Sequence, residues 1–341
     1  MNKTLYRTAL AVSAAAVSAI AALTPTTASA SPSAARATLS HPRIVAHFDI
    51  NKGQLPENVA LLPDGSADVT FAAARQVARV DQRGRTRILA TLPVPADGGV
   101  HTPALGFPLT TGLVRTPDGT LYVLYATGTD DLTGLWRIRP GQDPHRIAAL
   151  PGDGLPNGLA LDPRTGTFYI TDSVLGTVWS VPSAGGTPTA WSTAPELAPT
   201  GFLGANGAKV HGNALWVTNL DQGTVLRIPF RAGSQAAGDH AANRAGTPQV
   251  EATGLIGLDD FAFTGRGDEL IAALNGPNQV LRIRPDGSNG ADGSVTTLLD
   301  TADGLQNPTS VAIRGDEVYV LSAAYTTNTD PNLLRARLGA R

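Results

Sequence analysis

The sequence predicts an all-β fold, a six-bladed β-propeller with four antiparallel strands per blade. Three observations carry that prediction. The composition is turn-rich and poor in aromatics, with 37 Gly and 25 Pro in 341 residues and aromatics at 5%. Short β-branched or alternating runs recur between Gly, Pro and Asp, which is how strands bounded by turns read. One motif also recurs six times, opening at Glu57, Thr111, Asn157, Asn206, Asp259 and Thr309, at intervals of 46 to 54 residues. A period near 50 with four strands per unit fits a propeller blade better than a sandwich or a β-helix.

The chain opens on a segment with the features of a secretory signal, Met1–Ala30. Lys3 and Arg7 form its charged start. Leu10–Leu23 is an apolar run too short for a comfortable membrane span, and Ala28-Ser29-Ala30 is a small-x-small cleavage site. The expected organisation is a signal peptide over 1–30, a small polar linker over 31–42 and the propeller over 43–341. That predicts a secreted protein. No Cys is present, so thiol catalysis, disulfides, Cys–zinc sites and iron–sulfur clusters are excluded. A net charge of −2 offers no basic surface for nucleic acid or an anionic membrane. A closed ring makes monomer the default.

Each repeat follows one plan. The first strand opens on a polar residue and places an apolar one two positions later: Val59, Leu113, Leu159, Ala208, Phe261 and Val311. A turn such as Pro117-Asp118-Gly119 leads to a second strand, for example Leu121–Tyr125. The third strand ends alike each time, as in Leu135-Trp136-Arg137-Ile138 and Val280-Leu281-Arg282-Ile283. A shorter fourth strand follows. Arg231–Gln249 is an Ala- and Gly-rich insertion between the third and fourth strands of blade four, and 286–292 reads as a hairpin turn. The sixth repeat stops after its third strand. Arg43–Phe48, an unpaired strand before the first repeat, is the expected partner that closes the ring.

In this architecture the first strands line the central channel. The six opening residues then form one ring at one mouth, and all six carry a side-chain oxygen. Glu57, Asn157, Asn206 and Asp259 offer two carboxylates and two carboxamides. Such a donor set suits a hard cation, Ca²⁺ foremost with Mg²⁺ or Mn²⁺ as alternatives, and Asp260 adds a further oxygen. Asp259, a ligand that also meets water, is the leading general base, and His101 in the loop before Thr111 is a second candidate. Thr111 and Thr309 complete the ring. Asp172 and Asn219, at the ends of second strands, return to the same mouth as second-shell or substrate contacts. Phe107 and Phe202 each stand four residues before a ring position and are expected in the pocket wall.

The repeat and the ordered set Glu57, Asn157-Gly158, Asn206-Gly207 and Asp259 resemble the gluconolactonase, senescence-marker-protein and luciferin-regenerating-enzyme family of six-bladed propellers. The resemblance spans about residues 43–341. It implies that Glu57, Asn157, Asn206 and Asp259 hold one divalent metal, and that the activity is hydrolysis of a lactone or related ester. Paraoxonase-like propellers are a more distant resemblance. They pair a second residue with the fifth-blade Asp, matching Asp260, but carry a His where this chain has Thr111. Two other readings stand beside the hydrolase: a non-catalytic propeller that binds a ligand or partner, and a lyase or isomerase on the same scaffold.

Overall fold

Six four-stranded antiparallel sheets follow one another around an axis in the computed structural model, which describes residues 39–232, 243–285 and 293–339. Blade one is β2 (Pro56–Leu61), β3 (Ala67–Phe71), β4 (Gln76–Val80) and β5 (Thr86–Thr91). Blade two is β6 (Leu109–Arg115), β7 (Leu121–Ala126), β8 (Gly134–Ile138) and β9 (His145–Ala149). Blade three is β10 (Pro156–Asp162), β11 (Thr167–Asp172), β12 (Thr177–Pro182) and β13 (Thr189–Ser192). Blade four is β14 (Ala205–His211), β15 (Ala214–Asn219), β16 (Thr224–Arg231) and β18 (Gln249–Ala252), with β17 (Arg244–Ala245) as a short extra pairing on β16. Blade five is β19 (Leu258–Phe263), β20 (Leu270–Leu274), β21 (Gln279–Arg284) and β22 (Ser294–Leu299).

Blade six closes the ring as the repeat predicts. Its strands β23 (Pro308–Arg314), β24 (Glu317–Ser322) and β25 (Asn332–Arg337) are completed by β1 (Ser40–His47), which pairs antiparallel with β25 from Ser40↔Arg337 to His47↔Asn332. The strand starts three residues before the expected boundary, and Leu39 is already buried against blade six. The signal-like segment Met1–Ala30 and residues 31–38 lie outside the described residues, as do 233–242 of the blade-four insertion and the whole of 286–292.

The core is distributed between blades. Six apolar clusters each join two neighbouring sheets, and each contains one of the residues two positions beyond the ring: Val59, Leu113, Leu159, Ala208, Phe261 and Val311. Strand pleating explains this, because residues two apart share a face. A seventh cluster differs. It gathers Leu55, Leu109, Leu155, Leu203 and Ala323 from five blades at the mouth where the ring opens.

Every first strand is irregular at the ring. Its pairing shifts register between Pro56 and Val59, Thr110 and Leu113, Pro156 and Leu159, Ala205 and Ala208, Leu258 and Phe261, and Pro308 and Ser310. Such bulges re-aim side chains and free backbone groups. Three second-strand threonines take up the freed groups in one repeated device. Thr70 accepts the Asn58 N–H at 3.0 Å and donates to the Thr111 carbonyl at 2.8 Å. Thr171 accepts from Gly158 N–H and donates to the Asn206 carbonyl. Thr218 accepts from Gly207 N–H and donates to the Asp259 carbonyl. Each hydroxyl ties its own bulge to the ring residue of the next blade.

Candidate channel site

Blades one, four and five supply the charged part of the ring. The bulge in β19 turns two consecutive acids, Asp259 and Asp260, inward, and both are buried. Asp260 is fully engaged. Lys209 Nζ stands 2.5 Å from its Oδ1, while Asn58 Nδ2 and Ser310 Oγ donate to its Oδ2 at 3.0 and 2.9 Å. Lys209 also lies over the Phe261 ring. Asp260 is therefore held by an ammonium and two neutral donors from blades four, one and six. That arrangement gives it a structural duty in place of the expected extra oxygen for a cation.

Glu57 and Asp259 have no cation of their own. The Tyr325 hydroxyl donates to Glu57 Oε1, and Asn275 Nδ2 donates to Asp259 Oδ2 at 3.3 Å. Burial pushes the Glu57 carboxyl up to about 7 against the lowering effect of Tyr325, and the Asp260 charge adds to the rise. Asp259 is raised well above the ordinary carboxylate range, first by burial and then by Glu57 and Asp260. The Tyr325 phenol is itself pushed up by burial and by Glu57. These groups form one strained electrostatic unit, in which ionising both carboxylates is costly unless positive charge arrives.

Two carboxamides stand in the same register. Asn157 donates through Nδ2 to Ser173 Oγ at 3.1 Å, and Ser173 in turn donates to the Ala205 carbonyl at 2.6 Å. That bond uses one Nδ2–H of Asn157, and no donor among the described residues reaches its side-chain oxygen. Asn206 is buried on the next blade. The glycines after these residues serve close approach. A Cβ on Gly158 would sit 2.2 Å from the Asn206 carbonyl oxygen, and one on Gly207 would sit 2.7 Å from Asp260 Oδ1. The Asn-Gly pairs here are strand positions pressed against the next blade, although the same pair often marks a turn.

The remaining ring positions work differently. The Thr111 hydroxyl donates to the Pro156 carbonyl at 2.8 Å and the Thr309 hydroxyl to the Pro56 carbonyl at 3.0 Å. In blades two and six the latch position of the second strand is Leu124 and Leu321, which offer no hydroxyl. The ring threonine makes the bond to the next blade in its place.

Asp172 and Asn219 lie at the mouth, as their strand ends predict, but their polar atoms are spent on loop backbone and, for Asp172 Oδ2, on the Trp179 indole N–H. Asp172 Oδ1 accepts from the N–H groups of Leu155, Val174 and Leu175. Asn219 Nδ2 donates to the carbonyls of Glu196 and Ala198, and its Oδ1 accepts from Gln222 N–H. Both pin loops and neither presents a free group to a ligand. Phe107 and Phe202 are half-buried against the mouth cluster. His101 is on the exposed β5–β6 loop, 2.8 Å from Asp97, and no contact joins it to the ring.

Lys209 and Tyr325 join the candidate site from positions that the repeat does not mark. Lys209 lies three residues beyond Asn206. Tyr325 is carried by the β24–β25 loop, where Ala324, Asn328 and Asp330 all have positive φ (57°, 55° and 48°). Asn307, also at positive φ, anchors that loop by accepting from Thr326 N–H, Thr326 Oγ1 and Thr327 N–H. Left-handed residues of this kind persist where the surroundings over-determine them, and here they hold a phenol on Glu57.

Among the described residues, no group of three or more His, Asp or Glu side chains is arranged to hold a metal ion. With Asp260 paired to Lys209, Glu57 and Asp259 are the ring acids that lack an ion pair among the described residues. A cation would have to draw its other ligands from carboxamides. Two carboxylates and two carboxamides fit a hard divalent ion in donor type and in charge.

No family model matches the sequence, and no curated protein matches it. The fold is similar to that of solved structures. Regucalcin of Agrobacterium tumefaciens, a calcium-binding protein, superposes with a TM-score of 0.58 at 17% identity, over 87% of this chain and 96% of that one. The PQQ-bound aldose sugar dehydrogenase of Streptomyces coelicolor gives 0.58 at 17%, over 86% and 96%. A protein provisionally described as a gluconolactonase gives 0.57 at 15%, over 89% and 95%. At these identities the likeness is one of fold, and the chain is a six-bladed β-propeller of the architecture those proteins share.

Proposed function

We propose that the protein is a secreted hydrolase of lactones or related esters that works with a divalent cation, Ca²⁺ foremost, in its channel. One observation carries this reading: two carboxylates, half-buried Glu57 and buried Asp259, stand on a common ring with no ion pair among the described residues and with their proton affinities raised. Glu57, Asp259, Asn157 and Asn206 would hold the ion. Bound there, a divalent cation supplies Lewis-acid polarisation of a carbonyl and a lowered pKa for water.

The chain's own groups then divide the work. Asp259 takes the proton as a water oxygen bonds to the carbonyl carbon. The carbonyl carbon–alkoxy bond then breaks, and Asp259 returns that proton to the departing alkoxy oxygen, giving the hydroxy acid from a lactone, or the acid and alcohol from an ester. Asn275 holds Asp259 at Oδ2, and Tyr325 holds Glu57 at Oε1. The Lys209–Asp260 pair keeps the third acid out of the donor set. His101 has no part in this scheme.

The test is an indicator-based hydrolysis screen over γ- and δ-lactones, sugar lactones and aryl esters, with added Ca²⁺ and after chelation. Turnover should require the cation. Glu57→Gln and Asp259→Asn should each lose at least about a hundredfold, the scale of a general base. Cation binding without turnover would move the protein to ligand capture or another reaction. Neither binding nor turnover would remove the reading.

A further inference from the structure

The two faces of the propeller are built from different residues. On the far face, the turns between first and second strands and between third and fourth strands carry Leu62 as their one large apolar residue among the described positions. The ring face is the opposite. Its layer of Leu55, Leu109, Leu155 and Leu203 is buried, and half-buried Phe107, Phe202, Val174, Leu220 and Tyr325 pack on it. The loops of the same face also carry Val94, Val100, Leu175 and Ile256, 60%, 53%, 38% and 69% exposed. Lys52 and Arg75 are the only Lys or Arg in the loops of this face, among several carboxylates.

The apolar collar is fixed in place. Asp221 Oδ2 accepts from the N–H groups of Thr200, Gly201 and Phe202 at 2.9, 2.7 and 2.7 Å, which sets the loop that carries Phe202. Asp172 does the same for Val174 and Leu175. Asn307 does so for the loop of Tyr325. Exposed apolar side chains on one face, beside loops held by side-chain-to-backbone hydrogen bonds, mark a binding surface.

Taking the hydrolase reading as its basis, we infer that the substrate class is a lactone or ester with an apolar, uncharged body, such as an alkyl-substituted lactone, and not a sugar lactone or an anionic ester. The ester group reaches the polar ring while the alkyl body lies in the collar. A polyhydroxylated body would strip its hydroxyls of water against Leu, Phe, Val and Ile without partners. An anionic body would meet carboxylates.

The measurement is kcat/KM over δ-valerolactone, δ-hexalactone, δ-octalactone and δ-decalactone, beside glucono-δ-lactone. Each methylene that enters the collar should raise kcat/KM about fourfold, and glucono-δ-lactone should fall at least about a hundredfold below δ-decalactone. Phe202→Ala and Ile256→Ser should flatten the chain-length slope. Val295→Ser, on an exposed outer strand, should leave it intact. A flat slope, or a preference for glucono-δ-lactone, overturns the inference while the hydrolase reading stands. If nothing is cleaved, titration calorimetry with the same series decides. Affinity that climbs with chain length keeps the ligand class and removes the hydrolase, and chain-independent or absent binding removes both.

Discussion

Lys209 carries two opposite consequences at the residue scale. It neutralises Asp260 in a buried site, so Lys209→Met strands a charge and should destabilise the cation-free protein by about 3 kcal/mol in urea titration. The same change frees Asp260 and makes the ring more negative, so Ca²⁺ should bind more tightly by calorimetry. Weaker binding would mean that Asp260 is out of reach of the ion. Tyr325→Phe should act the other way. Its phenol stabilises ionised Glu57, and losing that bond should weaken Ca²⁺ about tenfold at pH 7. The deficit should narrow at pH 9, where Glu57 is ionised in either protein. Glu57, Asn157, Asn206 and Asp259 were readable because each recurs at one register of a repeat. Tyr325 lies outside that register, on a loop peculiar to the closing blade. Lys209 had a signal that register cannot carry, since Lys3 and Lys52 are the only other lysines in the chain.

The informative element is the bulged first strand. Thr171 and Thr218 each satisfy one freed N–H and one carbonyl of the next blade in a buried setting. Thr171→Val or Thr218→Val keeps the shape and orphans both groups. Each should cost about 1–3 kcal/mol by chemical denaturation. Gly158→Ala should cost more, because its methyl group would meet the backbone oxygen of Asn206 at 2.2 Å and backbone cannot swing aside. A neutral Gly158→Ala would mean that the inner strands have room to part. Bulges also explain the limits of sequence at this scale. A period of two puts Thr111 and Thr309 on the channel, but the direction of a side chain in a bulge depends on the approach of the next blade. Asp172 and Asn219 were placed at the correct end of their strands for the same reason of period. Their engagement with loop backbone depends on chain folding over them, which periodicity does not encode.

The whole molecule was the most legible level, because six copies of one strand plan and an unpaired β1 leave few closed arrangements. The contrast between its faces was present in the letters but needed the topology to sort loops by end. At this scale the buried acids set the dependence of stability on pH. Unfolded, Glu57 ionises near 4.5; folded, it does so near 7. Between those values the folded protein holds a proton that the unfolded chain has released, so stability falls as pH rises, by up to about 3 kcal/mol for this group. Asp259 acts in the same direction. Asp118 is lowered to about 2 by Thr116 and Thr120, and Asp64 is lowered by Ser66. These acids act oppositely, and their contribution is lost as pH drops below about 4. In the presence of a chelator, Tm should therefore peak near pH 5 and decline toward pH 8. If the ring takes Ca²⁺ as proposed, excess Ca²⁺ adds stability in proportion to the logarithm of its concentration over Kd, and the decline should shrink or reverse. Glu57→Gln should flatten the chelated curve, because its uncharged carboxamide has no proton to lose. Thermal scans from pH 4 to pH 8, with Ca²⁺ and with chelator, separate the outcomes. Superimposable curves would mean that no cation meets these carboxylates, and Glu57 and Asp259 would then be protonated partners in a purely structural channel.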